Sequence, residues 1–208
     1  MKKYIGLLIV VFFGACTENE PIEEKGLKIV CTTGMIGDGV QNLVDSTCTV
    51  NTLMGPGTDP HLFKPTKQSL DLLSDADIIV ANGLHLEGRM QDILEKMQRN
   101  KTVIFIGDAI PAEDLLIAEG SEFIPDPHIW FDVSLWNKSM RFLSDELRKF
   151  GVLNEAKAEA YRNELSALDE SVQKTLSEIP DERRVLITAH DAFSYFGEAY
   201  GMEVIGLQ

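Results

Sequence analysis

The predicted fold starts from the stretch Leu27-Lys28-Ile29-Val30-Cys31-Thr32, which is followed by Gly34-Met35-Ile36-Gly37. Its apolar run predicts a short strand, and the residues after it predict a helix that continues to about Val44. The same alternation then recurs, with strands predicted at 49–54, 77–81 and 102–106 and helices at 69–73 and 88–99. Strands that alternate with helices predict an α/β fold, in which a parallel sheet carries helices on both faces. Such sheets bind ligands at the carboxyl ends of their strands.

Two helices are predicted in the second half of the chain. The first is amphipathic and covers 133–150. Asn154 is placed to cap a longer one that reaches Ile179, just before Pro180. Its apolar residues recur at spacings of three and four, which indicates one apolar stripe. A helix of about 25 residues would be about 38 Å long, enough to run along a whole domain.

A second lobe is predicted to begin after the long helix. Strands at 184–188 and 202–205 flank a helix at 192–200, and this order repeats the start of the first lobe. A parallel sheet of two strands cannot cover itself. We therefore expect the second lobe to be truncated at Gln208 and to continue in a longer protein.

The first 16 residues differ from the rest of a chain whose 44% hydrophobic and 25% charged content is ordinary for a globular protein. Two lysines precede the apolar run 4–13, which is too short to span a bilayer and has the layout of a bacterial secretion signal. Gly14-Ala15-Cys16 resembles a lipobox, although Phe13 departs from the usual aliphatic residue. This predicts a signal peptide at 1–15, a lipidated Cys16 and a flexible acidic tether at 16–26; the alternative is a plain signal peptide with an incidental cysteine.

The charge of the chain is strongly acidic. Removal of residues 1–15 would take away Lys2 and Lys3 and no acidic residue, so the formal net charge of −14 would become −16. A negative net charge of this size argues against nucleic acid as a partner and is compatible with a cationic ligand.

Cys31 and Cys48 could form a disulfide in an exported protein. However, they lie at different heights in neighbouring predicted strands, about 10 Å out of register. We therefore predict two free, mostly buried thiols.

Three histidines lie in or just before turns that limit their orientation: His61 in Asp59-Pro60-His61, His128 in Asp126-Pro127-His128, and His190 in Thr188-Ala189-His190-Asp191. The segment 55–65 is too rich in proline and glycine for a helix or a central strand, so His61 is expected on a rigid loop. Neutral imidazoles bind zinc, manganese, iron and copper. Together the three histidines predict a transition-metal site.

Any one of these histidines alone is more often an ordinary polar residue than a ligand. The case for a metal site is stronger when the three are taken together, because three of the chain's four histidines occupy loop or strand-end positions. We interpret Asp59 and Asp126 as turn caps or as partners that orient the rings, and His85 as a bystander.

Five segments, taken in order, resemble the zinc- and manganese-binding lipoproteins of ABC importers, the TroA-like solute-binding proteins. The segments are Thr32-Thr33-Gly34-Met35-Ile36-Gly37-Asp38, Gly57-Thr58-Asp59-Pro60-His61-Leu62-Phe63-Lys64-Pro65, Asn82-Gly83-Leu84-His85-Leu86-Glu87, Asp126-Pro127-His128-Ile129-Trp130 and Thr188-Ala189-His190-Asp191-Ala192-Phe193-Ser194-Tyr195-Phe196. The likeness extends from about Leu27 to Gln208. One such motif would be weak, but the combination is specific.

The resemblance implies two α/β lobes with parallel sheets, joined by one long rigid helix, with the metal in the cleft between the lobes. On this basis 27–152 form the N-terminal lobe, 153–180 the linking helix and 181–208 the incomplete start of the C-terminal lobe. The ligand positions of the family map to His61, His128 and His190, and a fourth ligand, a carboxylate, would lie beyond Gln208.

The resemblance also implies a function: an extracytoplasmic, lipid-anchored receptor that captures a divalent metal and delivers it to an ABC importer permease, without catalysis. Manganese-specialised relatives often carry glutamate in place of His190, whereas many zinc-specialised ones carry a histidine-rich loop that 113–125 lack. The nitrogen-rich ligand set favours zinc over manganese, with iron third.

Two other functions remain open at this stage. One is an exported metal-dependent hydrolase, because three histidines leave a coordination position for an activated water. Against it, the sequence has no His-Glu-x-x-His helix and no candidate nucleophile beside a general base. The other is a surface adhesin, which no residue supports independently.

Overall fold

The structure, a computed structural model, describes residues 26–118 and 120–207. The predicted signal peptide, Cys16 and nearly all of the predicted tether lie outside these residues. The fold is α/β, with these strands and α-helices in chain order: β1 Lys28–Thr33, α1 Gly34–Gln41, β2 Thr49–Met54, α2 Lys67–Asp75, β3 Ile78–Ala81, α3 Gln91–Met97, β4 Thr102–Phe105, α4 Val133–Lys149, α5 Glu155–Ser177, β5 Val185–Thr188, α6 Ser194–Tyr200 and β6 Glu203–Gly206.

Strands β1 to β4 form one parallel sheet in the order β2-β1-β3-β4, and β5 and β6 form a separate one. We call the first sheet with its helices the first lobe, and β5, α6 and β6 the second lobe. Successive residues of a strand point to opposite faces, so Ile29 and Cys31 join one apolar cluster with α1, α4 and α5, whereas Val30 joins another with α2 and α3. Because both faces are covered, the central strands β1 and β3 are buried along nearly their whole length. The predicted parallel sheet with helices on both faces is confirmed.

The second half of the chain also follows the predicted order. The Asn154 side chain caps α5 by accepting a hydrogen bond from the Lys157 N–H at 3.0 Å. The helix ends at Ser177, two residues before the predicted end at Ile179, and its 23 residues make it about 35 Å long. Beyond it, β5 and β6 pair in parallel with α6 between them in sequence.

Several predicted helix boundaries differ from the structure, two of them for a reason that the contacts identify. Helix α1 stops at Gln41 rather than near Val44, because Val44 pairs with Leu153 in an isolated antiparallel bridge. Helix α2 begins at Lys67 rather than at Ser69, because Thr66 is its N-cap and Ser69 completes a capping box with it.

Cys31 and Cys48 are both free, as predicted: Cys31 is buried and Cys48 partly buried. The register places Cys31 opposite Thr52, with Cys48 just before the start of β2. Among the described residues, no helix combines the length and the apolar content that crossing a bilayer requires.

The loops that leave the carboxyl ends of the strands carry the histidines. The chain reaches His61 after β2 and His128 after β4, and His190 follows the end of β5 by two residues. The fold therefore brings side chains from both lobes to the carboxyl edge of the sheets, as expected for ligand binding in α/β proteins.

Candidate metal centre

His61, His128 and His190 form one cluster. One ring nitrogen from each lies within 4.8 Å of the other two. The Nε2 atoms of His61 and His128 are 3.2 Å apart, and the centroids of the three rings are separated by 5.2 to 5.6 Å. The structure thus brings together the three histidines that the sequence singled out.

The loop of His61 is fixed by the aspartate two residues before it. The Asp59 carboxylate accepts a hydrogen bond from the His61 backbone N–H at 2.8 Å, with Pro60 between them. Such a turn holds the backbone while the ring remains free to point into the cleft. Burial lowers the pKa of His61, and the neighbouring His128 ring lowers it further. His61 is therefore a neutral imidazole at physiological pH, which is the form that binds metals.

The second Asp-Pro-His sequence forms the same turn and orients the ring as well. The Asp126 carboxylate accepts hydrogen bonds from the backbone N–H of His128 at 2.9 Å and from its ring Nδ1 at 2.6 Å. Burial raises the pKa of the Asp126 carboxyl, but the hydrogen bonds from His128 outweigh it, and the pKa lies below its usual value. The ionised carboxylate keeps the proton on Nδ1, which leaves the Nε2 lone pair of the buried His128 directed at His61.

His190 reaches the cluster from the second lobe. It is exposed, unlike the buried His128. Metal–nitrogen bonds of about 2.0–2.1 Å in a tetrahedral site would place two ligand nitrogens about 3.3 Å apart. The His61–His128 pair already has that separation, and an exposed ring can adjust to complete the set. Three imidazoles in this arrangement fit a borderline transition-metal ion.

The cluster lines a cleft of about 680 Å³ that also includes Leu62, Leu84 and Pro125. His85 lies at this cleft too, but it is exposed and is not part of the histidine cluster. Its interpretation as a bystander remains a prediction.

A family model described as "ZnuA: Zinc-uptake complex component A periplasmic" matches residues 29–208. The chain belongs to this family. The match covers every described strand and helix from the second residue of β1 onward, and it includes all three clustered histidines.

Individual members of the ZnuA family are similar over most of the chain. The zinc-binding protein TroA of Treponema pallidum (strain Nichols) is 43% identical over 184 residues, which is 86% of this chain and 59% of TroA. The manganese-binding lipoprotein MntA of Bacillus subtilis (strain 168) is 39% identical over 197 residues, 89% of this chain and 61% of MntA. The chain thus spans less than two thirds of the length of either relative.

A solved structure, the periplasmic zinc-binding protein TroA from Treponema pallidum, superposes with a TM-score of 0.81 at 40% identity. The superposition covers 88% of this chain and 67% of the TroA chain. It supports the α/β arrangement described above.

The sequence did not predict that the loop 82–88 supports both Asp-Pro-His turns. In the loop 82–88, Gly83, Leu84 and His85 have consecutive positive φ angles of 75°, 53° and 66°. The Glu87 carboxylate, fully buried, holds this strained turn by accepting hydrogen bonds from the N–H groups of Asn82 at 2.7 Å and Gly83 at 3.1 Å. The hydroxyl of Thr32 is its third donor, at 2.7 Å.

This loop contacts the segments that carry two of the histidines. The Asn82 side-chain amide donates to the Pro127 carbonyl at 3.0 Å, next to His128. On the other side, Gly88 lies so close to His61 that an added Cβ would stand 2.3 Å from the His61 carbonyl oxygen. The segment 82–87 is one of the five that carry the family resemblance, but the sequence did not predict its contacts with the histidine segments.

Gly88→Ala should therefore unfold more easily than the parent and bind metal more weakly. The methyl group collides with the His61 backbone, and φ at Gly88 is +49°, a conformation that costs alanine about 1–2 kcal/mol by itself. Gly151→Ala is the matched control, because φ there is +69° but an added Cβ has no neighbour within 4 Å. Thermal unfolding and zinc titration of both variants measure the difference. Equal losses of stability would mean that the contact with His61 is unimportant.

Proposed function

We propose that this protein is an extracytoplasmic solute-binding lipoprotein that captures a divalent transition metal and delivers it to the permease of an ABC importer. The observation that carries the proposal is the cluster itself: His61 and His128 from one lobe and His190 from the other, with Nε2 of His61 and His128 3.2 Å apart. A ligand set drawn from two lobes suits reversible capture, because separation of the lobes would release the ion.

Zinc is the preferred cargo in this proposal, and manganese is second. Imidazole nitrogen binds zinc more tightly than manganese by the usual order of affinities. The relatives support both ions, since TroA is named as a zinc-binding protein and MntA as a manganese-binding lipoprotein. These relatives lend no support to the hydrolase or to the adhesin.

The same comparison supports the proposed location and partners. The family description contains the word periplasmic, and MntA is named a lipoprotein. Other relatives are named as substrate-binding lipoproteins of metal ABC transporters. We infer a membrane anchor through lipid on Cys16 and a permease as the macromolecular partner.

Two measurements test the proposal. Purified protein should bind one equivalent of zinc, and it should bind manganese with lower affinity. Binding of calcium should not be measurable, because calcium takes oxygen ligands. In cells grown with limiting metal, deletion of the gene should lower the zinc or manganese content, and the parent gene but not His128→Ala should restore it. Absence of zinc binding, or full restoration by His128→Ala, would refute the proposal.

Cys16→Ser should move the protein from the membrane fraction to the soluble extracytoplasmic fraction, because the proposed lipid is attached to that thiol. Cys48→Ser leaves Cys16 in place and should remain with the membrane. Fractionation followed by immunoblotting measures both. If Cys16→Ser stays with the membrane as fully as the parent does, the lipobox interpretation is incorrect.

A further inference from the structure

A tyrosine of the second lobe is hydrogen-bonded to the segment that carries His128. Tyr195 lies on α6, five residues after His190, and is only 2% exposed. Its hydroxyl donates to the Asp126 carbonyl at 3.1 Å and accepts from the Leu116 N–H at 3.1 Å. The stretch that presents His190 thus also holds the residue that orients His128.

The hydroxyl completes a ladder between two backbone segments. Residues 116–118 and 124–126 run antiparallel, with Ile117 opposite Pro125 and the Ala118 N–H bonded to the Ile124 carbonyl at 2.9 Å. The Asp126 N–H donates to the Leu116 carbonyl at 2.8 Å. The reciprocal bond, from the Leu116 N–H to the Asp126 carbonyl, is bridged by the Tyr195 hydroxyl. Asp126 is therefore fixed on its N–H side by its own lobe and on its carbonyl side by the other lobe.

The surroundings keep this hydroxyl in place. Tyr195 packs with Ile110 and Ile129 in a small apolar cluster, and Ile129 directly follows His128. Burial raises the pKa of Tyr195 to about 12, so the phenol keeps its proton and can donate. Loss of the hydroxyl would leave the buried Asp126 carbonyl and the partly buried Leu116 N–H without this partner.

We propose that Tyr195 is a positioning residue for the metal: by fixing Asp126, its hydroxyl holds the His128 ring at a set position relative to His190. The inference rests on the proposed metal-binding function. Tyr195 acts through Asp126, whose carboxylate accepts hydrogen bonds from both the backbone N–H and the ring Nδ1 of His128. Through this contact, the position of one lobe determines how well the site in the other lobe is formed.

The same helix offers a matched control. Tyr200 is also buried, and its hydroxyl likewise has two partners outside α6: it donates to the Asp169 carboxylate at 2.8 Å and accepts from the Val133 N–H at 3.2 Å. Asp169 lies on α5, and Val133 is the first residue of α4, five residues beyond His128. Tyr200→Phe removes the same group from the same helix and weakens the same packing of the lobes, without releasing Asp126.

Zinc titration by calorimetry, together with thermal unfolding, compares Tyr195→Phe with Tyr200→Phe. Both variants should lose stability, but only Tyr195→Phe should bind zinc 10- to 100-fold more weakly, as is typical when a residue that orients a ligand is changed. The absorption spectrum of bound cobalt should change in Tyr195→Phe alone. Equal affinities in the two variants would overturn the inference while leaving the proposed function intact. Absence of zinc binding by the parent would instead refute the proposed function.

A measurement on the parent protein tests the role of Tyr195 even if Tyr195→Phe does not fold. Hydrogen exchange of the Leu116 amide, which is bonded to Tyr195, should slow when zinc is added. Exchange of the Val133 amide, which is bonded to Tyr200, should not respond. If zinc leaves the Leu116 amide unchanged or slows both amides alike, Tyr195 does not couple the site to the second lobe.

Discussion

Replacement of His128 by alanine should weaken zinc binding by more than about 100-fold, the upper limit for changes to residues that merely orient a ligand. His128 is buried, its tautomer is set by Asp126, and its Nε2 faces that of His61. It is thus the most preorganised nitrogen of the three. His61→Ala and His190→Ala should also lose affinity, but His190→Ala less so, because the exposed His190 ring has to be ordered on binding.

His85→Ala is the control for these variants, because His85 lies at the same cleft but outside the cluster. It should bind zinc like the parent. Thermal unfolding gives a second measurement: zinc at about 100 times its Kd should stabilise the parent and His85→Ala by about 2.7 kcal/mol and His128→Ala hardly at all. A loss of binding in His85→Ala, or none in His128→Ala, would require a different ligand set.

Acidification should release the metal. Imidazole must be neutral to bind it, so protons compete with zinc once the pH approaches the histidine pKa values. Burial and the His128 ring lower the pKa of His61, so this ligand stays neutral to a pH below about 6.5, the ordinary value. Affinity should therefore be nearly constant from about pH 8 to 6.5 and then fall, on the order of 100-fold by about pH 5.

Zinc titrations at half-unit steps between pH 8 and 5 measure this dependence. Asp126, whose pKa lies below its usual value, stays ionised in this range and should not add to the loss. His61→Ala should show a shallower fall than the parent, because a ligand that protons compete for has been removed. A flat affinity profile for the parent would show that imidazoles are not its principal ligands.

The first lobe could be predicted from the sequence because its strands are buried on both faces. The run Ile29–Cys31 and the run Ile78–Ala81 are apolar without alternation, which indicates central strands of a parallel sheet. Helix ends were less predictable. The end of α1 depends on the pairing of Val44 with Leu153, more than 100 residues later, and no local pattern encodes that contact.

The cluster of histidines could be predicted because each Asp-Pro-His turn is a local structure. The bond from the His61 N–H to Asp59 and the equivalent bond at His128 follow from residue types two positions apart. The roles of Tyr195 and Glu87 could not be predicted in this way. Tyr195 lies 69 residues from Asp126, and buried Glu87 supports the site through the loop beside His61 rather than as a ligand.

We expect a single metal ion to be held jointly by His61, His128 and His190 from the two lobes. Anomalous diffraction at the zinc absorption edge, from crystals of the protein loaded with one equivalent of zinc, tests it most directly. We expect one strong peak bonded to Nε2 of His61, Nε2 of His128 and a ring nitrogen of His190, at about 2.0–2.1 Å from each. A peak that lacks any of these three nitrogens, or a dominant peak elsewhere on the molecule, would contradict it.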